Sequence, residues 1–193
     1  MKRITWLILI LIIVSVMLIV VNTGITTSYF TDAELSTDNT LNIRLSVTLL
    51  DDGFDSTPWD DKWDENGTTT WVQDSANPHS APYNAQSDNK NKGFLTSDNL
   101  DTFAAENITV TFWFNLTKLD AGDIVVQIYN GTTYIFWHDL TAYLTYIDQT
   151  WCQFSEVITD PQYLIPAFRL RFDTSAIGGG EDANIDDVLI QKN

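Results

Sequence analysis

From residue 41 onward, apolar and polar residues alternate more often than they recur at helical spacing. Ile108, Val110, Phe112 and Phe114 fall on one face, and Thr109, Thr111, Trp113 and Asn115 on the other. Phe168, Leu170 and Phe172 alternate in the same way with Arg169, Arg171 and Asp173. A period of two marks a strand with one buried face. Residues 124–129 and 133–137 flank Asn130-Gly131, a dipeptide that signals a hairpin. Residues 152–158 and 185–190 supply two further strands. Asp, Asn, Gly and Pro punctuate the gaps at 120–123, 160–161 and 178–182. Without helical crossovers, this order predicts an all-β fold over residues 48–193: antiparallel sheets packed as a jelly-roll-like β-sandwich. Residues 56–93 alternate poorly and read as long loops with one short strand near Trp71.

The N-terminal pattern is different. Lys2 and Arg3 precede an uninterrupted apolar run at residues 4–21. That run is longer than a signal-peptide core of about 7–15 residues and near the minimum span of about 17–25. Residues 1–28 therefore read as a hydrophobic helix, either a cleaved signal peptide or an uncleaved signal anchor in the membrane. In both cases the basic start stays cytoplasmic and the rest is exported. Residues 29–47 are a polar segment between this helix and the sandwich.

Charge and composition narrow the partners. The formal charge is −16, and the only basic residues before position 44 lie ahead of the apolar run, so the body is more acidic still. Such a surface repels phosphate backbones and excludes nucleic acid. There are 21 Asp against 5 Glu, a bias toward loops and toward hard oxygen ligands suited to calcium. A single cysteine, Cys152, rules out an intrachain disulfide framework, and with two histidines it cannot build a zinc site. Cys152 alternates with Phe154 and reads as a core thiol, and His138 reads as a strand-edge residue. Four Asn-x-Thr triplets, at Asn66, Asn107, Asn115 and Asn130, are glycosylation acceptors if the chain meets that machinery.

Two resemblances add to this. The stretch from Tyr29 to Ile43, with its aromatic pair, acidic patch and Thr/Asn-rich run, resembles the start of mature camelysin and TasA-type surface fibre proteins, although the glycine before the first strand is missing. That resemblance implies filaments in which residues 29–47 are lent as a strand to another copy of the chain. The alternative is a simple tether. Over the body, Asp51-Asp-Gly-Phe-Asp55 followed by Trp59, Trp63 and Trp71 resembles the opening of jelly-roll carbohydrate-binding modules and MAM-like domains. Trp151-Cys-Gln-Phe154, Phe168-Arg-Leu-Arg-Phe172, and Gly178-Gly-Gly180 leading to Asn184-Ile-Asp-Asp-Val-Leu-Ile190 are similar to their later strands. Asp55 stands where Glu is usual.

The second resemblance implies a structural Ca2+ joining the first and last strands. Asp55 and Asp186 would be its ligands, and Asp52 and Asp187 lie nearby. Simple alternation puts Asp186 with Val188 and Ile190, and Asp187 with Ile185 and Leu189, so one Asp must be satisfied at a sheet margin by metal or hydrogen bonds. Outward-facing Trp113, extended by Trp137 and Tyr129, offers an aromatic platform for a sugar ring, with Arg169 and Arg171 as donors to hydroxyls. The alternative is a loop from residues 56–93 folded over those rings. No nucleophile motif or compact array of acids marks an enzyme. The sequence thus predicts an exported, cell-surface, non-catalytic module that binds a glycan or surface polymer, with a filament subunit as the alternative.

Overall fold

The computed structural model describes residues 45–66 and 71–193, excluding the side chain of Asn66. The expected N-terminal helix, the segment 29–44 and the Asn66 triplet lie outside the described residues. Among the described residues, no helix is long and apolar enough to cross a membrane.

Among the described residues, eleven strands form two antiparallel sheets. In chain order they are β1 (Val47–Asp52), β2 (Trp63–Asn66), β3 (Val72–Asp74), β4 (Asn84–Asp88), β5 (Phe94–Ser97), β6 (Ile108–Thr117), β7 (Val125–Tyr129), β8 (Tyr134–Asp139), β9 (Cys152–Ile158), β10 (Leu170–Asp173) and β11 (Asp182–Lys192). The first sheet runs β3-β4-β11-β6-β9, with β1 also paired to β11; the second runs β2-β5-β10-β7-β8. This is the predicted sandwich. Two short 3₁₀ turns, Leu140–Ala142 and Pro161–Tyr163, are capped by Asp139 and Asp160.

The predicted strands and the β7–β8 hairpin are all present. At the hairpin, Gly131 has φ +89°, and the Asn130 side chain accepts from the amides of Thr132 and Thr133. Residues 56–93 depart from expectation, because they contain β2, β3 and β4 rather than one short strand. The reason is composition: β4 buries Asn84, Ala85 and Ser87, residues too small or too polar to register as an apolar face.

The core is aromatic at its centre. Phe112 of β6 stacks on Phe154 of β9 with ring centroids 4.5 Å apart, and meets Phe172 of β10 edge-on at 5.0 Å. This contact joins the sheets, and Trp63 and Trp71 extend it at 6.1 and 6.2 Å from Phe172. Cys152 is a buried free thiol.

β11 contains a bulge. Its pairing with β6 runs from Asp186 opposite Trp113 to Leu189 opposite Thr111, so β11 carries one extra residue there. Asp187 takes it up with φ +48°, a left-handed conformation that Asp tolerates better than bulky residues. Before the bulge β11 pairs with β4; after it, with β1.

Candidate functional site

The bulge corrects the expected faces of the paired acids. The inserted residue lets Ile185, Val188 and Ile190 all turn into the core, while Asp186 is left on the opposite face. There Asp186 is fully buried under residues 79–80. It accepts from the amides of Ser80 at 2.9 Å and Asp187 at 2.8 Å. Asp187 in turn accepts from the Ser80 hydroxyl at 2.7 Å and contacts His79 Nδ1 at 2.6 Å. Asp55 accepts from the Tyr83 amide at 3.0 Å. Asp52 stands apart, its carboxylate bound to the Trp63 indole at 2.8 Å and the Phe54 amide at 3.0 Å, with Lys62 at 3.8 Å.

These contacts bear on the calcium that the resemblance implies. A calcium cage needs about 6–8 oxygens free to turn toward the ion. Here both oxygens of Asp52, Asp186 and Asp187 already meet a hydrogen-bonding partner, mostly N–H or O–H donors. Asp55 has one oxygen so engaged, and hydrogen bonds to His79 and Ser80 hold the Asp186–Asp187 pair of β11, so the four carboxylates are not gathered as a ready-made cage. Among the described residues, the acids whose oxygens do lie within 4.8 Å of one another are Asp120, Asp123 and Glu181.

The five residues expected to bind ligand are divided by the structure. Trp113 does not form an open platform: the His79 ring stacks on it at 3.9 Å and 14°, and Trp151 meets that imidazole edge-on at 5.6 Å. The cover comes from residues 56–93, the alternative weighed from sequence. Trp137 is the extra residue of a second bulge, in β8, and packs edge-on against Phe154 at 5.2 Å, away from Tyr129. Asn115 is buried at 4% exposure in mid-strand, which leaves no room for a glycan there. Asn107 and Asn130 are half-buried at strand ends.

Tyr129, Arg169 and Arg171 come together on the outer face of the second sheet. In β7 and β10, Val126, Ile128, Leu170 and Phe172 point inward, leaving Gln127, Tyr129 and Arg171 outward. Two aromatics that sequence reasoning missed join them. Tyr134 pairs with Tyr129 across the hairpin, ring centroids 5.1 Å apart, and Phe94 lies on β5. The guanidinium of Arg171 lies 3.2 Å from the Tyr134 ring centroid and 4.5 Å from that of Phe94, and its Nε donates to Thr96 at 3.1 Å. Arg169 lies over Tyr129 at 5.6 Å and donates to Asn99 at 2.6 Å. The Tyr134 hydroxyl is buried and has no hydrogen-bond partner among the described residues. The hairpin signal could have revealed Tyr134, since Asn130-Gly131 places it opposite Tyr129. Phe94 lay at the end of a stretch without alternation.

No family model and no curated protein matches the chain. Solved structures do. The CBM22-1 xylan-binding domain of Paenibacillus barcinonensis Xyn10C is 13% identical, with a TM-score of 0.55 over 78% of this chain and 97% of that one. The K3 cleaved adhesin domain of Lys-gingipain from Porphyromonas gingivalis is 15% identical, with a TM-score of 0.53 over 76% and 98%. The CBM22-1-GH10 modules of Clostridium thermocellum Xyn10B, complexed with xylohexaose, are 14% identical, with a TM-score of 0.51 over 76% and 28%. The chain shares its β-sandwich fold with these domains.

The site yields two expectations. Thermal unfolding of the full chain should have the same midpoint in calcium as in chelator, since an ion that binds only the folded state would raise it. A drop in chelator would restore the ion. Burial pushes the Asp186 carboxyl up to about 6 from 3.8, with the Asp187 charge adding to the rise and the amides of Ser80 and Asp187 opposing it. Because the folded state holds this proton more tightly than the unfolded chain, ionising Asp186 opposes folding. Its contribution to stability therefore falls as pH rises from about 4 through 6. A carboxyl NMR titration should show Asp186 with a midpoint near 6; a midpoint in the ordinary Asp range contradicts the burial argument.

Proposed function

We propose that the protein is a non-catalytic carbohydrate-binding module whose site is the outer face of the second sheet. The observation that carries this reading is the unpartnered Tyr134 hydroxyl beside Arg171, whose guanidinium lies close to the rings of Tyr134 and Phe94. A buried hydroxyl without a partner costs about 1–3 kcal/mol, a cost that a sugar hydroxyl reaching it would relieve. Sugars fit the chemistry: their C–H faces stack on Tyr129, Tyr134 and Phe94, and their hydroxyls accept from arginine and donate to tyrosine. The xylan-binding and adhesin domains of similar fold support a sugar ligand, at identities where only the site's own residues can specify it. Arg169 and Arg171 act as hydroxyl donors, and Gln127, which sits opposite Arg171 and donates to Asp173, supplies its side-chain carbonyl as an acceptor.

The same reading places the protein outside the cell, at its surface, where residues 1–28 would export or anchor it and a glycan or surface polymer would be met. Self-assembly through residues 29–47 rests on the sequence resemblance alone.

The test uses the full chain with oligosaccharides of xylose, glucose and galactose. Tyr134→Phe removes only the unpaired hydroxyl, and should weaken binding about tenfold while leaving the melting temperature unchanged or higher. Arg171→Ala should weaken it at least as much. If both variants bind as the parent does, the site is elsewhere.

A further inference from the structure

On one side of the sandwich the two sheets end in strands β8 and β9, and the layer between them opens into a cavity of about 370 Å³. Its lining includes Phe136, Trp137, His138, Tyr143 and Glu156. Phe136 is 63% exposed at the mouth. Deeper, the rings form a box over buried Phe154: Tyr143 lies 4.7 Å from it, Trp137 and His138 each 5.2 Å, and His138 and Tyr143 meet edge-on at 5.8 Å. Glu156 pairs with Val110 on the inward face of β9 and so points into this gap. One of its oxygens accepts from the Tyr143 hydroxyl at 3.2 Å. Asp139 adds a second carboxylate at the rim, held by the amides of Gly122 and Thr141.

The charges in this cavity are one-sided. Among the described residues, no lysine or arginine lines it. Burial pushes the His138 imidazole below its ordinary value, against the pull of Glu156, so the ring is neutral at pH 7 and supplies no compensating cation. Aromatic faces and carboxylates without a counter-charge attract a positively charged, weakly hydrated group. An anion is repelled here, and a neutral sugar would leave the Glu156 charge unpaired.

We infer that the cavity between β8 and β9 is a second binding site, specific for an organic ammonium group held among Trp137, Tyr143 and Glu156. The group is carried by a small amine or by an amino sugar; the volume suits a ligand of about one sugar ring. The site is separate from the outer-face stripe and does not depend on it.

Calorimetric titration of the full chain with choline, glucosamine and glucose tests this. Choline, glucosamine or both should bind saturably at a site that Trp137→Leu weakens, and glucose should show no binding sensitive to that substitution. Binding of choline alone identifies the free amine as the source, and preference for glucosamine identifies the amino sugar. Glu156→Gln, which keeps an acceptor for Tyr143, should cost about tenfold in affinity. Trp137→Leu, which keeps apolar bulk and removes the ring, should cost as much, while both variants retain the glycan binding attributed to Tyr134 and Arg171. Glucose binding that Trp137→Leu abolishes, no saturation by any of the three, or full binding by Glu156→Gln overturns the inference.

Discussion

The extra residue at Asp187 decides how the first sheet is built. Without it, strict alternation from Ile185 would turn Val188 and Ile190 outward and send Asp187 and Leu189 into the core, setting a charge among apolar side chains. With it, β11 keeps one apolar face along its length and changes partner on one edge, from β4 to β1. The cost is a carboxylate sealed on the opposite face, offset by the amides of Ser80 and Asp187. Residues 79–80 are drawn down to meet it, and His79 comes to rest on Trp113. One backbone irregularity thus closes one face of the sandwich.

The second sheet is held by a different contact. Phe112 reaches across the core to Phe172, and Phe172 neighbours Arg171 on β10. Packing on the inner face therefore fixes the strand from which the guanidinium projects outward. Arg171 is then held beside two rings and by Thr96, an arrangement that presents donors at little further entropic cost. In a chain of net charge −16, placing both described arginines on this face separates it from the rest of an acidic surface. The two faces therefore differ in accessibility: one is covered by its own loop, and the other keeps an unsatisfied hydroxyl.

How much of this could be read in the sequence follows from where the information lies. Strands with a Phe, Ile or Leu at every second position, such as β6 and β10, announce themselves. β4 does not, because its buried face is Ala85 and Ser87 and its other side is closed by polar pairs such as Asn84 with Asn184. The outward placement of Tyr129, Arg169 and Arg171 was legible because alternation alone sets their face. Trp113 was placed on the correct face, but its cover comes from His79, which is distant in sequence and brought there by tertiary contacts. Asp186 and Trp137 were misplaced for a common reason: each adjoins a bulge, and an inserted residue leaves no mark in a period-two pattern.

The central claim is that the uncovered face of the second sheet meets the sugar. The most direct measurement is the chemical-shift perturbation of assigned side-chain and amide resonances as a neutral oligosaccharide is added to the full chain. The account predicts saturable shifts concentrated on Phe94, Gln127, Tyr129, Tyr134 and Arg171. Shifts concentrated instead on His79, Trp113 and Trp151 would contradict it and place recognition on the face that the loop covers.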